Sequence, residues 1–305
     1  MSVAQTATPA APRVSIVLPF RDVARFLAEA VESVLAQSYR SWELLLVDDG
    51  ASDGSSAIAR GFSERHPEVV RHLVHEGHRN LGISVSRNRG VAESAGELIA
   101  CLDGDDVWLP EKLERQVEWL DRHPTAAMTY GASLEWYSWS GRPEVIGRDR
   151  VYDLSFAAAR LVEPPELVLP FVSETVGAPC PSSFLIRRSV WREVRGCEPS
   201  FRGMYEDQVL LMKIHLRYPV YVSEGWLERY RRRPDSIYSR AQRAGSVPRA
   251  RLEFLDWLVR YLRQTAWRGQ ELDRAVRALR FRLRHPRLAR ALEAVRPRDI
   301  AAGAL

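Results

Sequence analysis

ELIACLDGDDVWLP, residues 97–110, runs an apolar segment into three carboxylates within four positions. Leu98-Ile99-Ala100-Cys101-Leu102 reads as a buried strand, so Asp103, Asp105 and Asp106 stand where that strand leaves the core. Like charges this close repel unless a positive group lies among them. The identity of that group is the question the stretch poses.

Upstream the same pattern repeats. VSIVLP (14–19) is a continuous apolar strand, and RFLAEAVESVLAQ (25–37) places Phe26, Leu27, Ala30, Val31, Val34 and Leu35 on one helical face. ELLLVDDG (43–50) is a second strand ending in acids, SSAIARGFSER (55–65) a helix, and VVRHLVH (69–75) a third strand. ISVSRNRGVAESA (83–95) reads as helix and ELIACL (97–102) as the fourth strand. PEKLERQVEWLDRH (110–123) reads as a helix with Pro at its first position and apolar Leu113, Val117 and Leu120. Strands alternating with helices predict βαβ units and a parallel sheet. Ligands bind such sheets beyond the carboxyl ends of the strands. Pro19-Phe20-Arg21-Asp22, Asp48-Asp49 and Asp103-Gly104-Asp105-Asp106 all fall at such ends and are expected to share one crevice.

After residue 130 the rhythm changes. MTYGASLEWYSWSG is aromatic and strand-like, and PPELVLPF is punctuated by proline. SSFLIRRSVW and YEDQVLLMKIHLRY predict a strand and two helices, read as a second lobe that completes the cleft. From 250 on, three short amphipathic helices are expected, with one stripe at Leu272, Val276, Leu279 and Leu283 and another at Leu288, Ala291, Leu292 and Val295. The divisions expected are a disordered tail (1–12), a nucleotide-binding part (13–130), an acceptor and base part (131–240) and a basic helical extension (241–305).

The bulk properties narrow the classes. Of 305 residues, 46% are hydrophobic and 27% charged, as in ordinary globular proteins. No run is long and apolar enough to span a bilayer, and MSVAQTATPAAPR lacks the basic start and apolar centre of a secretory signal. The three cysteines (Cys101, Cys180, Cys197) show no CxxC spacing, which argues against a disulfide framework or a zinc site and fits a reducing cytoplasm. From Ala241 onward there are 15 Arg and 6 acidic residues, a net +9 in a chain whose total is +5, so the rest is at −4. The basic character belongs to the tail, and no nucleic acid is expected as a partner.

No GxGxxG follows the first strand, and no GxxxxGK[ST] occurs. The chain offers carboxylates where those motifs offer backbone amides. Carboxylates cannot face a diphosphate directly, and a hard divalent cation, Mg²⁺ or Mn²⁺, satisfies both. With these residues in place, VSIVLPFRDVARFLAEAVESVLAQSYRSWELLLVDDGASDGS, NLGISVSRNRGVAESAGELIACLDGDDVWLPEKL and the later YEDQ resemble family 2 inverting glycosyltransferases. The resemblance runs from about Val14 to Leu120 and, more weakly, from Pro181 to Ser239. It implies an α/β, Rossmann-like GT-A fold: a mostly parallel sheet flanked by helices, an acceptor-side lobe and a C-terminal helical extension.

It also implies roles. Pro19 and Arg21 would line the base pocket, and Asp49 would contact the nucleobase. Asp103 would touch the ribose or the metal, Asp105 would ligate the metal, and Asp106 would orient its neighbours or cap a helix. Asp207, in Tyr205-Glu206-Asp207-Gln208, would be the general base, with Glu206 beside it toward the acceptor. Arg21-Asp22 stand where the family usually has Tyr-Asn, and Arg233 where it often has a metal-binding His. Either water takes that place on the metal, or Arg231 to Arg233 grip the diphosphate.

Plainer readings stand beside these. Asp103–Asp106 can be a solvated turn, Asp48-Asp49 turn residues, Glu206-Asp207 first-turn acids favoured by the helix dipole, and Arg87 either a phosphate or base contact or a surface helix residue. His72, His75 and His78, three apart on an extended chain, should alternate faces and so form no metal cluster. The stripe of Phe254, Trp257 and Tyr261 is expected to pack on the catalytic part; the sharper alternative lays 250–300 on an anionic membrane. The function expected is transfer of a sugar from a nucleoside-diphosphate sugar to a glycan or lipid-linked acceptor, in the cytoplasm or at the inner face of the membrane. The rivals are a sugar-phosphate nucleotidyltransferase and a non-catalytic binding relic.

Overall fold

A computed structural model describes residues 11–151, 154 and 157–288. The tail up to Ala10 and the stripe residues Ala291, Leu292 and Val295 lie outside the described residues. The chain forms two compact units, Met1–Ile237 and Tyr238–Leu305.

In the first unit β1 (Val14–Phe20), α1 (Ala24–Leu35), β2 (Trp42–Asp48), α2 (Ser55–Arg65), β3 (Val70–Val74), α3 (Ile83–Glu93) and β4 (Leu98–Cys101) alternate as the apolar pattern predicts. They are followed by β5 (Val107–Trp108), α4 (Lys112–Arg122), β6 (Met128–Trp136), β7 (Arg150–Val151), β8 (Arg160–Val162) and α5 (Val168–Val172). Then come β9 (Leu185–Arg187), α6 (Arg188–Glu193), α7 (Glu206–His215) and β10 (Val220–Arg231). One sheet runs in the order β3-β2-β1-β4-β9-β6-β10-β5, with β7 on β6 and β8 on β10. From β3 to β4 every pairing is parallel. β9 then runs antiparallel to both β4 and β6, and β10 parallel to β6. The sheet therefore continues without a break through residues 13–130 and 131–237.

β1 and β2 are buried along their whole length, which is why they read as continuous apolar runs rather than alternating ones. α3 presses onto them at Gly90. A Cβ there would come within 2.4 Å of Val17 Cγ1 and 3.2 Å of Val47 Cγ2, so only glycine admits the approach. Two details depart from expectation. The helix expected to open with Pro110 begins at Lys112, with Glu111 at the N-cap position and no side-chain cap, while the Pro110 carbonyl accepts the Ser38 N–H at 2.8 Å. β10, twelve residues long, was not foreseen.

The second unit contains α8 (Ile237–Arg243, which starts at the boundary), α9 (Val247–Leu262) and α10 (Glu271–Arg284). Phe254, Trp257 and Tyr261 stack in series along α9, at 6.4 and 5.0 Å. Asp256 of α9 pairs with Arg280 of α10. Leu272 and Val276 are buried, whereas Leu279 and Leu283 are only half-buried.

Candidate active site

β1 lies between β2 and β4, so the chain leaves it to both sides and opens a crevice at the carboxyl ends. Pro19 is buried in β1 opposite Val47. Arg21 is exposed just beyond it, 3.5 Å from Asp22. Asp48 closes β2 and is fully buried. Its carboxylate accepts the Ala51 N–H at 2.8 Å and the Ser56 hydroxyl, with His78 Nε2 at 3.2 Å and His72 Nε2 at 3.7 Å. Burial works against its charge, but these partners together hold its pKa below the usual range. His72 and His78 thus reach the same carboxylate, because β3 ends at Val74 and the single turn Glu76–His78 folds the chain back. Among the described residues no three His, Cys, Asp or Glu side chains could hold a metal by themselves.

Asp49 turns the other way. It accepts the Leu81 N–H at 2.8 Å and the Gly82 N–H at 3.0 Å, fixing the loop that leads into α3. His75 Nε2 lies 3.8 Å from it.

The acidic triplet answers the opening question with arginines. Asp103 Oδ1 accepts from Arg87 at 2.6 Å, and Asp105 Oδ2 from Arg233 Nε at 2.7 Å. Arg231 donates to the Asp105 carbonyl at 2.7 Å through Nε, and its backbone N–H reaches Asp106 Oδ1 at 2.9 Å. Its guanidinium also pairs with Glu29 and lies 4.4 Å from the Trp136 ring centre and 4.8 Å from that of Phe26. The structure therefore encloses Arg231 as a brace, at 4% exposure. Asp106 caps no helix. It is buried, and Ser182 donates its hydroxyl to it at 2.5 Å while accepting the Asp103 N–H at 3.1 Å. Burial, followed by the charges of Asp105 and Asp103, drives the Asp106 pKa well up. Asp105 is also raised by burial, with Arg233 pulling against the shift.

Arg87 is no surface residue: it is 1% exposed. One Nη holds Asp103 and the other lies 3.3 Å from Glu206 Oε1, while its Nε is buried without a hydrogen-bond partner. Burial opposes its charge, but Asp103 and Glu206 keep it protonated. Tyr205 turns the chain with a left-handed backbone (φ 66°), so Glu206 and Asp207 open α7 side by side. Asp207 is half-buried, and its Oδ1 accepts the Gln208 N–H at 2.7 Å. Burial raises both carboxyls, and for Glu206 burial and the neighbouring Asp207 push the pKa to about 7.

The model for glycosyl transferase family 2 matches residues 15–194. The chain belongs to this family. Among curated relatives it is 36% identical over 112 residues to the putative glycosyltransferase EpsE of Bacillus subtilis strain 168 (37% of this chain, 40% of EpsE). It is 33% identical over 118 residues to the UDP-Glc:α-D-GlcNAc-diphosphoundecaprenol β-1,3-glucosyltransferase WfgD of Escherichia coli (39% of this chain, 44% of WfgD). The match thus spans less than half of either relative. S. aureus TarS 1–349 in complex with UDP-GlcNAc superposes with a TM-score of 0.63 at 14% identity, covering 90% of this chain and 73% of TarS. The mannosyltransferase PcManGT of Pyrobaculum calidifontis, in complex with GDP-Man and Mn²⁺, gives 0.56 at 16% identity, covering 97% of this chain and 77% of PcManGT. These likenesses establish the GT-A fold: a mixed sheet, parallel from β3 to β4 and flanked by helices.

The family and the Mn²⁺ of PcManGT raise the question of a metal. Asp103 and Asp105 each bind a guanidinium through one oxygen, leaving Asp103 Oδ2 and Asp105 Oδ1 outside these pairs, on side chains 21% and 20% exposed. Two hard carboxylate oxygens suit an ion such as Mg²⁺, which takes one or two carboxylates and completes its shell with phosphates and water. The donor set fits. Ser182 and Glu29, which position the triplet and its brace, carried no sequence signal, since their partners lie 76 and 202 residues away.

Proposed function

We propose that this chain transfers a sugar from a nucleoside-diphosphate sugar to a hydroxyl acceptor, with inversion at the anomeric carbon. One observation carries the reading: Arg87 ties Asp103, at the end of β4, to Glu206, next to Asp207 and 119 residues from Arg87. Donor-side and acceptor-side carboxylates thereby share one cation. Pro19, Arg21 and Asp49 lie at the ends of β1 and β2 where the nucleoside would bind. Asp103 and Asp105 would hold Mg²⁺ or Mn²⁺, whose contribution is to offset charge on the departing diphosphate. Asp207 accepts the acceptor hydroxyl's proton as that oxygen bonds to the anomeric carbon and the bond to the diphosphate breaks. Burial raises the Asp207 pKa, which makes its carboxylate a stronger base for that proton.

The test is calorimetric binding of UDP, GDP, TDP and CDP, with Mn²⁺ and with chelator, to wild type, Asp105→Ala and Asp207→Asn. One nucleotide should bind wild type and Asp207→Asn alike and bind Asp105→Ala weakly. Slow hydrolysis of the matching sugar donor should vanish in Asp207→Asn. A folded wild type that binds none of the four leaves the binding relic as the better reading.

A lipid-linked saccharide is the acceptor class favoured by the tail. Phe281 and Leu288 are 39% and 51% exposed amid Arg274, Arg282, Arg284 and Arg287. No helix among the described residues is long and apolar enough to cross a membrane. A basic amphipathic segment of this kind lies on anionic lipid, which would place the chain in the cytoplasm, at the inner face of the membrane.

A further inference from the structure

Asp105 carries a cation of its own. Arg233 Nε meets Asp105 Oδ2 at 2.7 Å, and the two side chains are 11% and 20% exposed. The two arginines that reach this residue differ in how they are held. Arg231 is fixed by Glu29, by the Asp105 carbonyl and by Asp106 through its backbone N–H, with Trp136 and Phe26 against its guanidinium. It bonds the main chain of Asp105 and leaves the carboxylate alone. Arg233 bonds the carboxylate itself. Its other arm lies 3.0 Å from Asp235, which is 71% exposed and follows two residues later in the loop after β10. A second, outward anion therefore already holds the Arg233 guanidinium.

The consequence is electrostatic. A carboxylate oxygen pair that faces a guanidinium and a divalent ion together has two cations beside it, and these repel. A diphosphate entering the crevice supplies the anion that relieves this repulsion, and guanidinium forks bind phosphate well.

We propose that Arg233 is the resident counter-ion of Asp105 and competes with the divalent cation for its charge: a metal on the other carboxylate oxygen loosens the guanidinium, which then turns to the donor's diphosphate. The inference rests on the proposed function for its last step only; the competition at Asp105 stands on the ion pair. It makes metal and donor bind together, since each removes what opposes the other. It also keeps the acidic triplet neutralised when neither is present.

The test measures Mn²⁺ alone, without nucleotide, against the full chain, from the electron paramagnetic resonance signal of unbound Mn²⁺. Arg233→Ala and Arg233→Gln remove the competing charge, and the glutamine keeps a hydrogen-bond donor for Asp105 should the alanine variant lose its fold. Arg122→Ala, on the surface beside Glu118 and next to Asp121, which pairs with Arg13 ahead of β1, removes the same charge at the end of the sheet opposite the triplet and serves as control. Both Arg233 variants should bind Mn²⁺ about tenfold more tightly than wild type, at the low end of what close charge pairs are worth, and the control should match wild type. Equal or weaker Mn²⁺ binding by the Arg233 variants, or an equal gain in the control, overturns the proposal. A parallel titration with the nucleoside diphosphates separates the two readings. Wild type that binds none of them defeats the transferase reading, while the Mn²⁺ comparison still decides the competition at Asp105.

Discussion

Arg87 is the residue on which the site turns. Its charge is buried with two carboxylates as partners. Replacing it with methionine leaves Glu206 buried and Asp103 half-buried without their cation, and removing one partner of a buried pair costs roughly 3–5 kcal/mol. Urea unfolding of Arg87→Met should show a loss of that order; a loss no larger than a surface substitution gives would mean that the pairs contribute little. The carboxyls beside it set a pH dependence. Burial and the charge of Asp207 push the Glu206 carboxyl up to about 7 in the folded chain, from the usual 4.5. The folded state therefore holds a proton that the unfolded chain releases, and stability should fall as pH rises from about 4.5 to 7. Asp207 contributes to that raised value, so Asp207→Asn should flatten the fall, as read from unfolding midpoints across the window. The Asp103–Asp106 triplet was legible because strand and acids adjoin in sequence. Arg87 was legible in part: on α3 alone a phosphate or base contact and a surface arginine read equally well, and only Glu206, far along the chain, makes it a buried brace.

At the scale of elements, legibility followed regularity. β1 to β4 could be read because a parallel strand buried on both faces is a plain apolar run. β10 could not. Its pairing with β6 shifts register between Val222 and Trp226 and again between Trp226 and Arg229, and Gly225 sits there at φ 68°. These irregularities break the period of two on which strand reading depends. They also serve the site, because β10 ends on Arg231 and delivers Arg233 to Asp105. The histidines fall as alternation has them, His72 and His78 at Asp48 and His75 at Asp49, although the extended geometry assumed across 72–78 stops at Val74. A sharper test of element packing is Gly90. The added methyl of Gly90→Ala would collide with Val17 and Val47, which β1 and β2 hold in place. Overpacking of this kind costs about 1–3 kcal/mol, and a thermal melt should show it. An alanine variant as stable as wild type would mean that α3 can shift away from the sheet without loss.

Over the whole molecule, charge and chemistry are separated along the chain. Every candidate site residue, from Pro19 to Arg233, belongs to the unit ending at Ile237, which holds the complete sheet. The tail beyond Ala241 carries +9, while the rest is at −4. An acidic body gains nothing by approaching an anionic surface, so attraction to lipid must come from the tail. A chain ending at Ile237 should therefore bind the nucleoside diphosphate as the full chain does and fail to float with anionic liposomes. Flotation of the full chain should weaken as salt rises from 0.1 to about 0.5 M, because charge attraction is screened within about 10 Å or less; whatever flotation survives at high salt measures the apolar share, to which Phe281 and Leu288 contribute. Equal flotation of both forms would remove the tail from membrane binding, and loss of nucleotide binding in the shortened chain would show that the first unit depends on the second. Retained binding with lost flotation would assign chemistry and placement to different parts of one chain.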